Sequence, residues 1–363
     1  MKITRIVQLH ADFGWRTISF LKIETDEGLV GWSEYYEGAG NTGLTAVLAS
    51  MAETLIGRDP CRIDRILTDM HARTIQAVGG INQQAIAALG NGLLDIKAKA
   101  LNVPVHALLG GAIRDRVPVY WSHCASYRGR YAKHLGIEKP RSYDDIARIG
   151  EEAGQRGFKM LKTNTLMVEQ GEFRGHRPTA GEGAGYPELN LSPDFIAATI
   201  AQLTALREGA GPGVGICLDV NFYFKPAAIL QLARLLEPFE LDWLEVDNFD
   251  AGNLAAVRAA TRTPIASCEH QYERRGYRPF LEARALDVAI VDPIWNGYLE
   301  AMKIAQLCEA YELNIAPHNY YGYLSDFISA NLAAVVPNLR VMEIDVDGVP
   351  WRPEFYSHAP EIT

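Results

Sequence analysis

Three short stretches decide the fold of this chain, and they are GICLDVN (215–221), DWLEV (242–246) and PIASCE (264–269). Each has the pattern of a buried strand with an acidic residue at or near its end: Asp219, Glu245 and Glu269. The spacings of 26 and 24 residues each leave room for one strand and one helix. If the three strands are neighbours in one parallel barrel, the three carboxylates converge on one point.

Three convergent carboxylates cannot all stay ionised without a cation between them. The set offers only oxygen donors, with no His or Cys, and such donors favour a hard divalent ion such as Mg2+. We therefore predict one Mg2+ per subunit, bound by Asp219, Glu245 and Glu269. The alternative is that these are solvated acids at strand ends.

The strand–helix alternation extends on both sides of these stretches. Candidate strands lie at 117–121, 159–164, 216–221, 243–246, 264–269, 288–292, 314–318 and 340–345. Candidate helices lie between them at 144–156, 193–208, 226–237, 252–261, 278–285, 299–312 and 324–335. Apolar strands with a polar residue at the C-terminal end predict a parallel α/β barrel with its active face at those ends. A doubly wound open sheet is the main alternative, but no GxGxxG motif follows a strand, and eight strands suit closure better.

The first 115 residues predict a separate α+β domain. Short strands at 3–9, 18–25 and 29–35 precede helices at 43–56 and 83–101, and a turn is expected at Asp26-Glu27-Gly28. Two inserts, 123–141 and 165–191, follow the first two barrel strands and are longer than ordinary connections, so we expect lids or binding loops there.

Composition excludes several classes of protein. The 363 residues carry a net charge of −9 and no basic stripe, so a nucleic-acid partner has no electrostatic support. The five cysteines form no CxxC pair, and Cys217 and Cys268 lie in apolar strands, which predicts reduced, buried thiols and a cytoplasmic location. The N-terminal stretch lacks the apolar core of a signal peptide, and no apolar run is long enough to span a membrane.

The whole chain resembles the enolase superfamily, and in particular its branch typified by mandelate racemase and muconate lactonizing enzyme. The order and spacing of several motifs carry this resemblance: DIKAKALNVPVHALLGGAIRDRVPVY (95–120), GFKMLKTN (157–164), LDVN, LEV, PIASCEH, APH (316–318) and VMEID (341–345). The resemblance implies a capping domain (1–115), a modified TIM barrel of the (β/α)7β type (116–345) and a C-terminal segment (346–363) that returns to the cap. It also implies Mg2+, a small carboxylate substrate that loses its α-proton, and a homo-oligomer.

The resemblance assigns catalytic residues to specific positions. His318, at the end of the seventh barrel strand, is the candidate base, and Asp292, at the end of the sixth, would orient it. Lys162 would pair with the substrate carboxylate or act as acid or base. Glu343 would hydrogen-bond the substrate or intermediate as a polarising acid. The family's KxK motif has its second lysine where this chain has Asn164, which weakens a two-base racemase mechanism.

Substrate binding is predicted at Asn164, Asn221, Trp15, His123 and Tyr320. Asn221 lies two residues beyond Asp219 and would face a substrate hydroxyl or carboxylate. Further polar candidates, each of which could equally be a surface residue, are His10, Asp12, Tyr127, Arg128, Arg174, His176 and Arg177. Several polar and cationic groups together suit a polyhydroxylated acid better than an aromatic one.

The leading hypothesis is a lyase, a Mg2+-dependent dehydratase that converts a sugar acid into a 2-keto-3-deoxy acid through an enediolate. A single base suits elimination, whereas inversion needs groups on both faces of the substrate. The alternatives are an isomerase, either a racemase or epimerase in which Lys162 replaces the missing lysine or a cycloisomerase, and a non-catalytic protein that keeps the fold for binding.

Overall fold

The computed structural model describes residues 1–38, 40–176 and 190–363. It begins with an antiparallel sheet of three strands, β1 (Ile3–Asp12), β2 (Thr17–Thr25) and β3 (Val30–Tyr35). The predicted turn joins β2 to β3, because the Thr25 amide donates to the Leu29 carbonyl oxygen at 3.1 Å. Gly28 supports this turn with a φ of +79°, which few other residues adopt easily.

Four helices follow the sheet: α1 (Leu44–Glu53), α2 (Ile63–Arg73), α3 (Gly80–Leu101) and α4 (Val105–Leu108). Helix α3 packs closely on the sheet, since a Cβ atom on Gly31 would lie 2.2 Å from the Gly92 carbonyl oxygen. The prediction lacks α2, which is short and polar overall, although it buries Ile63, Ile66 and Met70 on one face. The predicted α+β character of this part of the chain is confirmed.

The remaining strands are β4 (Val119–Ser122), β5 (Met160–Thr163), β6 (Leu166–Glu169), β7 (Glu172–Gly175), β8 (Gly215–Asp219), β9 (Trp243–Glu245), β10 (Ile265–Ser267), β11 (Val288–Val291), β12 (Asn314–Pro317) and β13 (Met342–Asp345). Eight of them form one parallel sheet in the order β12–β11–β10–β9–β8–β5–β4–β13. The sheet closes through backbone bonds of 2.8 Å that join Ile315 to Asn338 and to Arg340. The predicted modified barrel is therefore confirmed, rather than the doubly wound sheet.

The helices of the barrel region are α5 (Ser126–Leu135), α6 (Tyr143–Gln155), α7 (Pro193–Ala210), α8 (Pro226–Leu235), α9 (Ala251–Ala259), α10 (Glu273–Glu282), α11 (Pro293–Asn296), α12 (Tyr298–Ala310) and α13 (Tyr323–Val335). Every strand of the barrel except β13 is followed by at least one of them. Helix α10 begins well before its predicted start at 278 and contains Pro279. Proline usually marks the first turn of a helix, which explains the error in the prediction.

An apolar layer fills the barrel below its C-terminal face. Its buried members are Tyr120, Met160, Cys217, Trp243, Ala266, Val288, Ile290, Ala316 and Val341. The rings of Tyr120 and Trp243 meet edge to face, 5.6 Å apart. Cys217 in β8 and Cys268, one residue beyond β10, are both fully buried, as predicted, and all five cysteines are free. This close-packed apolar layer lies beneath the polar residues of the C-terminal face.

The two inserts contain secondary structure that the prediction lacks. Helix α5 occupies the first insert, and β6 pairs with β7 as an antiparallel hairpin at the start of the second. Residues 177–189 of the second insert, Arg177 among them, lie outside the described residues. A lid or binding role for either insert stays a prediction.

The C-terminal segment packs against the first two strands of the chain. The Trp351 indole N–H donates to the Asp12 carbonyl oxygen at 2.8 Å, and the Phe355 ring stacks on Phe13 at 5.2 Å. The division of the chain at residues 115 and 345 stays a prediction. Among the described residues, no helix has both the length and the apolar character needed to cross a membrane.

Candidate active site

The three predicted ligands meet at the C-terminal face of the barrel. Asp219 and Glu245 are the last residues of β8 and β9 and lie opposite each other in the strand register, and Glu269 lies two residues beyond β10. One carboxylate oxygen from each residue lies within 4.8 Å of the other two. Asp219 and Glu245 are buried, and the Glu269 side chain is 13% exposed. The structure thus brings the three acids together.

Burial is the main reason that the pKa values of these carboxyl groups are raised. It raises the pKa of Asp219, that of Glu245 to about 7 and that of Glu269 well above its usual range. Repulsion between the carboxylates, including the nearby Asp247, adds to the rise. A divalent cation removes this electrostatic cost, and carboxylate oxygens are the donors that Mg2+ prefers. The residues present therefore fit a hard divalent cation.

Lys162 lies in β5 and places its ammonium between two carboxylates. Its Nζ atom is 3.1 Å from both Glu245 carboxylate oxygens and 2.9 Å from Glu343 Oε1. Burial alone lowers the pKa of Lys162, but attraction to these two carboxylates outweighs it and raises the pKa well above its usual range. A permanently charged ammonium at this position can neutralise the carboxylate of a bound substrate.

His318 follows β12 and forms a dyad with Asp292, which follows β11. Their Nδ1 and Oδ2 atoms are 2.7 Å apart, and the Tyr321 hydroxyl donates to the same carboxylate oxygen at 2.6 Å. The other oxygen of Asp292 accepts the Ile294 and Trp295 amides at the start of α11. These bonds place the Nδ1 proton on His318 facing Asp292 and leave Nε2 to face the site, 3.6 Å from Glu269.

The pKa of His318 reflects the carboxylates around it. Burial lowers the pKa, but Glu269, Asp292 and Glu343 outweigh that effect and raise it to about 10. Glu269, one of the three candidate ligands, is the strongest of these neighbours. The proton affinity of His318 is therefore coupled to whatever Glu269 binds.

Glu343 in β13 is a partner of Lys162 in this structure. Its Oε1 also accepts the Ser122 hydroxyl, and its Oε2 accepts the Asn319 amide at 2.9 Å. Burial raises the pKa of Glu343, but Lys162 and His318 more than compensate and lower it below its usual range. The carboxylate is ionised in this arrangement, and the predicted role as a polarising acid stays a prediction.

The side chains of the two predicted asparagines, Asn164 and Asn221, both form hydrogen bonds with Asp219. The Asn164 amide donates to the Asp219 carbonyl oxygen at 3.1 Å. Asn221 has a φ of +50° and donates its backbone N–H and its side-chain amide to the two Asp219 carboxylate oxygens, at 2.7 and 3.1 Å. Both residues hold Asp219 in place, and direct contact with substrate stays a prediction.

The other predicted substrate residues form an aromatic wall between the cap and the barrel. Tyr320 lies against His318 with ring centres 5.0 Å apart, and His123 lies 6.3 Å from Tyr320. His123 stacks on Tyr127 and contacts Asp345 at 2.8 Å. Trp15, from the loop between β1 and β2, stacks on Tyr131 of α5 at 4.7 Å.

Most of the weaker candidates are engaged with neighbours away from the dyad. Arg128 pairs with Glu152 and Asp347, and Arg174 lies near the Glu169 and Glu172 carboxylates of its own hairpin. His10 contacts the Ser19 hydroxyl, and His176 packs among aromatic rings, with no hydrogen-bond partner for its Nδ1 among the residues that the structure describes. The contacts of these residues give them structural roles, and contact with substrate stays a prediction for each.

Arg16 is the main residue that the prediction lacks. Its buried guanidinium reaches from the cap to Asp345 Oδ2 at 3.0 Å and donates to the carbonyl oxygens of Tyr320 and Tyr321. It thereby fixes the loop that follows His318. Nothing in the neighbouring sequence distinguishes Arg16 from an exposed arginine, because all of the hydrogen-bond partners of its side chain lie more than 100 residues away in the sequence.

Two family descriptions match this chain. "Mandelate racemase / muconate lactonizing enzyme, N-terminal domain" matches residues 12–110, and "Enolase C-terminal domain-like" matches residues 146–363. With the capped barrel and its strand-end acids, these matches define the class of the protein. The chain belongs to the enolase superfamily, in the branch of mandelate racemase and muconate lactonizing enzyme.

Individual relatives narrow the activity to a few reaction types. The D-galactonate dehydratase of Variovorax paradoxus is 33% identical over 347 residues, which cover 91% of this chain and 80% of that protein. The D-xylonate dehydratase of Haloferax volcanii is 29% identical over 339 residues, with coverages of 91% and 76%. The protein is therefore an enzyme, a lyase by these relatives, and the non-catalytic alternative loses its support.

A solved structure supports the isomerase alternative. It is a provisionally assigned L-alanine-DL-glutamate epimerase from Burkholderia xenovorans, bound to magnesium and fumarate. It is 44% identical to this chain, has a TM-score of 0.96 and covers 100% of this chain and 90% of its own. This relative binds magnesium and a small carboxylate on the same fold.

Proposed function

We propose that this enzyme is a Mg2+-dependent dehydratase that removes water from a sugar acid to form a 2-keto-3-deoxy acid. The observation that carries the proposal is the His318–Asp292 dyad beside the acidic cluster, with His318 Nε2 directed at Glu269, together with Asn164 where the family's second lysine would be. The dehydratase names of the sequence relatives support it. Asp219, Glu245 and Glu269 would hold one Mg2+ per subunit.

The cation site, Lys162 and His318 would each have a different role in proton abstraction. A bound divalent cation would supply positive charge that stabilises the dianionic enediolate formed when the α-proton leaves. Lys162 would neutralise the substrate carboxylate from the side of β5. His318 is the base: when Glu269 is engaged as a ligand, His318 loses the neighbour that most raises its pKa, so its Nε2 gives up its proton more readily and can then accept one from substrate.

Elimination can use the same histidine twice. His318 Nε2 takes the α-proton, and the electron pair of that C–H bond forms the enediolate. The β C–O bond then breaks, and the hydroxyl leaves as water with the proton that His318 returns. The resulting enol takes up a proton at the β-carbon and loses the proton of its C2 hydroxyl to give the 2-keto-3-deoxy acid. Asp292 holds the ring in the required tautomer throughout.

Epimerisation is the second candidate, favoured by the name of the Burkholderia relative. Inversion needs a proton donor on the face opposite His318, and Lys162 would have to serve. The Lys162 ammonium lies 2.9 Å from Glu343, a carboxylate outside the proposed ligand set, and Glu343 raises the pKa of Lys162, which disfavours release of its proton. Asn164 cannot exchange a proton at all. Elimination therefore agrees better with this set of residues.

A substrate panel separates these candidates. The enzyme is incubated in D2O with Mg2+ and with aldonic and aldaric acids, one at a time, while keto-acid formation and α-deuterium incorporation are measured. Keto acid from one or a few members is the expected result. Deuterium incorporation with a new stereoisomer and no keto acid would replace dehydration by epimerisation. Neither product from any member, at saturating Mg2+, would remove the sugar-acid assignment.

Two further properties remain proposals at this level. We expect a homo-oligomer, because members of the family commonly form one. We expect a cytoplasmic location, because the thiols are unpaired. Isothermal titration of the chelator-treated protein with Mg2+ tests the proposed stoichiometry, and a value other than one ion per subunit would contradict it.

A further inference from the structure

Polar residues two positions beyond Lys162, Asp219 and Glu245 connect neighbouring strand ends around the barrel rim. Asn164 donates its side-chain amide to the Asp219 carbonyl oxygen at 3.1 Å. The carbonyl oxygen of Asn221 accepts the Asp247 amide at 3.1 Å. Each of these residues therefore joins its own strand end to the next one in barrel order, immediately above the layer of candidate ligands.

Asp247 is the last residue of this series, and one of its carboxylate oxygens has three polar neighbours. It is 3% exposed, and its Oδ1 accepts the Cys268 amide at 3.1 Å and the Ser267 hydroxyl at 3.2 Å. The same oxygen lies 3.0 Å from His270 Nδ1. Gln271 can donate to His270 Nε2, so the histidine presents its Nδ1 proton to Asp247. All three contacts reach residues within two positions of Glu269.

The segment that carries Glu269 needs this support because of its backbone. Cys268 has a φ of +85°, a left-handed conformation that is uncommon for residues other than glycine. It immediately precedes Glu269, and it lies one residue beyond the end of β10, so no strand pairing holds it. A rotation of Cys268 toward negative φ would turn the Glu269 carboxylate away from Asp219 and Glu245.

We propose that Asp247 is a positioning residue that holds Cys268 in its left-handed conformation and so aims Glu269 at the cation. The inference rests on the proposed metal site. Asp247 acts through hydrogen bonds to the backbone and side chains around Glu269, and it is not itself counted among the ligands. Residues that hydrogen-bond to a metal ligand and orient it commonly contribute to metal affinity. Their loss weakens metal binding roughly 10- to 100-fold.

The first test compares Mg2+ affinity, measured by isothermal titration, in Asp247→Asn and Asp247→Ala. Asparagine keeps an oxygen that can accept the Cys268 amide but removes the charge, whereas alanine removes both. We expect roughly 10- to 100-fold weaker binding for Asp247→Ala and a loss of less than about threefold for Asp247→Asn. Equal losses in the two variants would show that charge matters rather than position, and would overturn the proposal.

The second test uses the conformation of Cys268 and needs no metal. Glycine adopts positive φ without strain, so Cys268→Gly should make Asp247 less important. In chelator, we expect the drop in urea midpoint caused by Asp247→Ala to be at least halved in the Cys268→Gly background. Cys268→Ala is the matched control, because it removes the same sulfur atom but keeps the Cβ atom, and it should not rescue. Additive effects of Asp247→Ala and Cys268→Gly would contradict the proposal.

A nearby acid controls for the loss of negative charge. Asp250 lies three residues beyond Asp247 and caps α9 by accepting the Asn253 amide at 2.7 Å, without contacting Cys268. Asp250→Ala should leave Mg2+ affinity within about twofold, and an equal loss there would also overturn the proposal. If the wild-type protein binds no Mg2+, the proposed function fails, while the urea experiment still tests the role of Asp247.

Discussion

At the scale of single residues, the site is defined by what each side chain is bonded to. His318 has one nitrogen hydrogen-bonded to Asp292 and the other directed at the acidic cluster. The Tyr321 hydroxyl donates a further hydrogen bond to Asp292. Lys162 is held between Glu245 and Glu343, and Asn164 holds Asp219. His318 is the residue that we propose takes a proton from substrate, and we propose that the others bind, orient or neutralise.

We expect His318→Asn to lower kcat by about 10²- to 10⁴-fold on the substrate found in the panel, because asparagine cannot accept the α-proton. Mg2+ affinity by titration should change little, since His318 is not a ligand. Tyr321→Phe is the matched control: it removes one bond to Asp292 but keeps the dyad, and should cost less than about tenfold in kcat. Normal turnover by His318→Asn would remove this histidine from the mechanism.

At the scale of elements, a residue in a strand of the cap supplies the N-terminal cap of a helix of the barrel. Helix α13 begins at Tyr323 and has no side-chain cap of its own. The buried carboxylate of Glu34 in β3 accepts the Gly322 amide at 2.5 Å and the Ser325 amide at 3.1 Å instead. The Glu34 carboxyl group accepts two of the free amides at the start of the helix, and it joins the cap to the element that follows the His318 loop.

Stability should depend on pH through Glu34. Burial raises the pKa of Glu34 to about 7, so between pH 4.5 and 7 the folded protein keeps a proton that the unfolded chain releases. Wild-type stability should therefore fall as pH rises through this window, by about 3 kcal/mol relative to Glu34→Gln. Urea unfolding at several pH values measures this difference.

The control for this pH prediction is Glu53→Gln on the exposed surface of α1. It removes one carboxylate and should show no comparable pH-dependent difference from wild type. A Glu34→Gln stability difference that stays constant between pH 4.5 and 8 would contradict the prediction.

At the scale of the whole molecule, the cap and the barrel meet through buried charges. Arg16 extends from the cap loop to Asp345 at the end of β13, and Arg352 of the C-terminal segment pairs with Asp326 of α13 at 3.3 Å. Aromatic contacts of Trp15 and Phe13 with α5 and the C-terminal segment surround these pairs. The cap is therefore attached directly beside the loop that carries His318, Tyr320 and Tyr321.

Arg16→Ala should destabilise the protein by about 3–5 kcal/mol in urea unfolding, because it leaves the buried Asp345 carboxylate without its cation. It should also lower kcat, since the carbonyl oxygens of Tyr320 and Tyr321 lose their donor. Arg16→Lys keeps the charge and should recover part of the stability. Arg5→Ala on the exposed side of β1 is the control, and equal effects of Arg5→Ala and Arg16→Ala would contradict the prediction.

The sequence by itself determined the barrel, the order of its strands and the three acids at their ends. These features depend on local periodicity and on the rule that parallel strands present their C-terminal ends on one face. The resemblance to the family, rather than local periodicity, indicated Asp292 as the partner of His318, and the structure places their Oδ2 and Nδ1 atoms 2.7 Å apart.

The tertiary structure alone decided how those residues are held. Arg16 and Asp345 lie at opposite ends of the chain, and Glu34 caps a helix 288 residues away. Asp247 accepts the amide of Cys268, whose φ is positive, a conformation that its side chain does not favour and that no local pattern indicates. Such contacts depend on the geometry of the closed barrel, in which distant segments become neighbours.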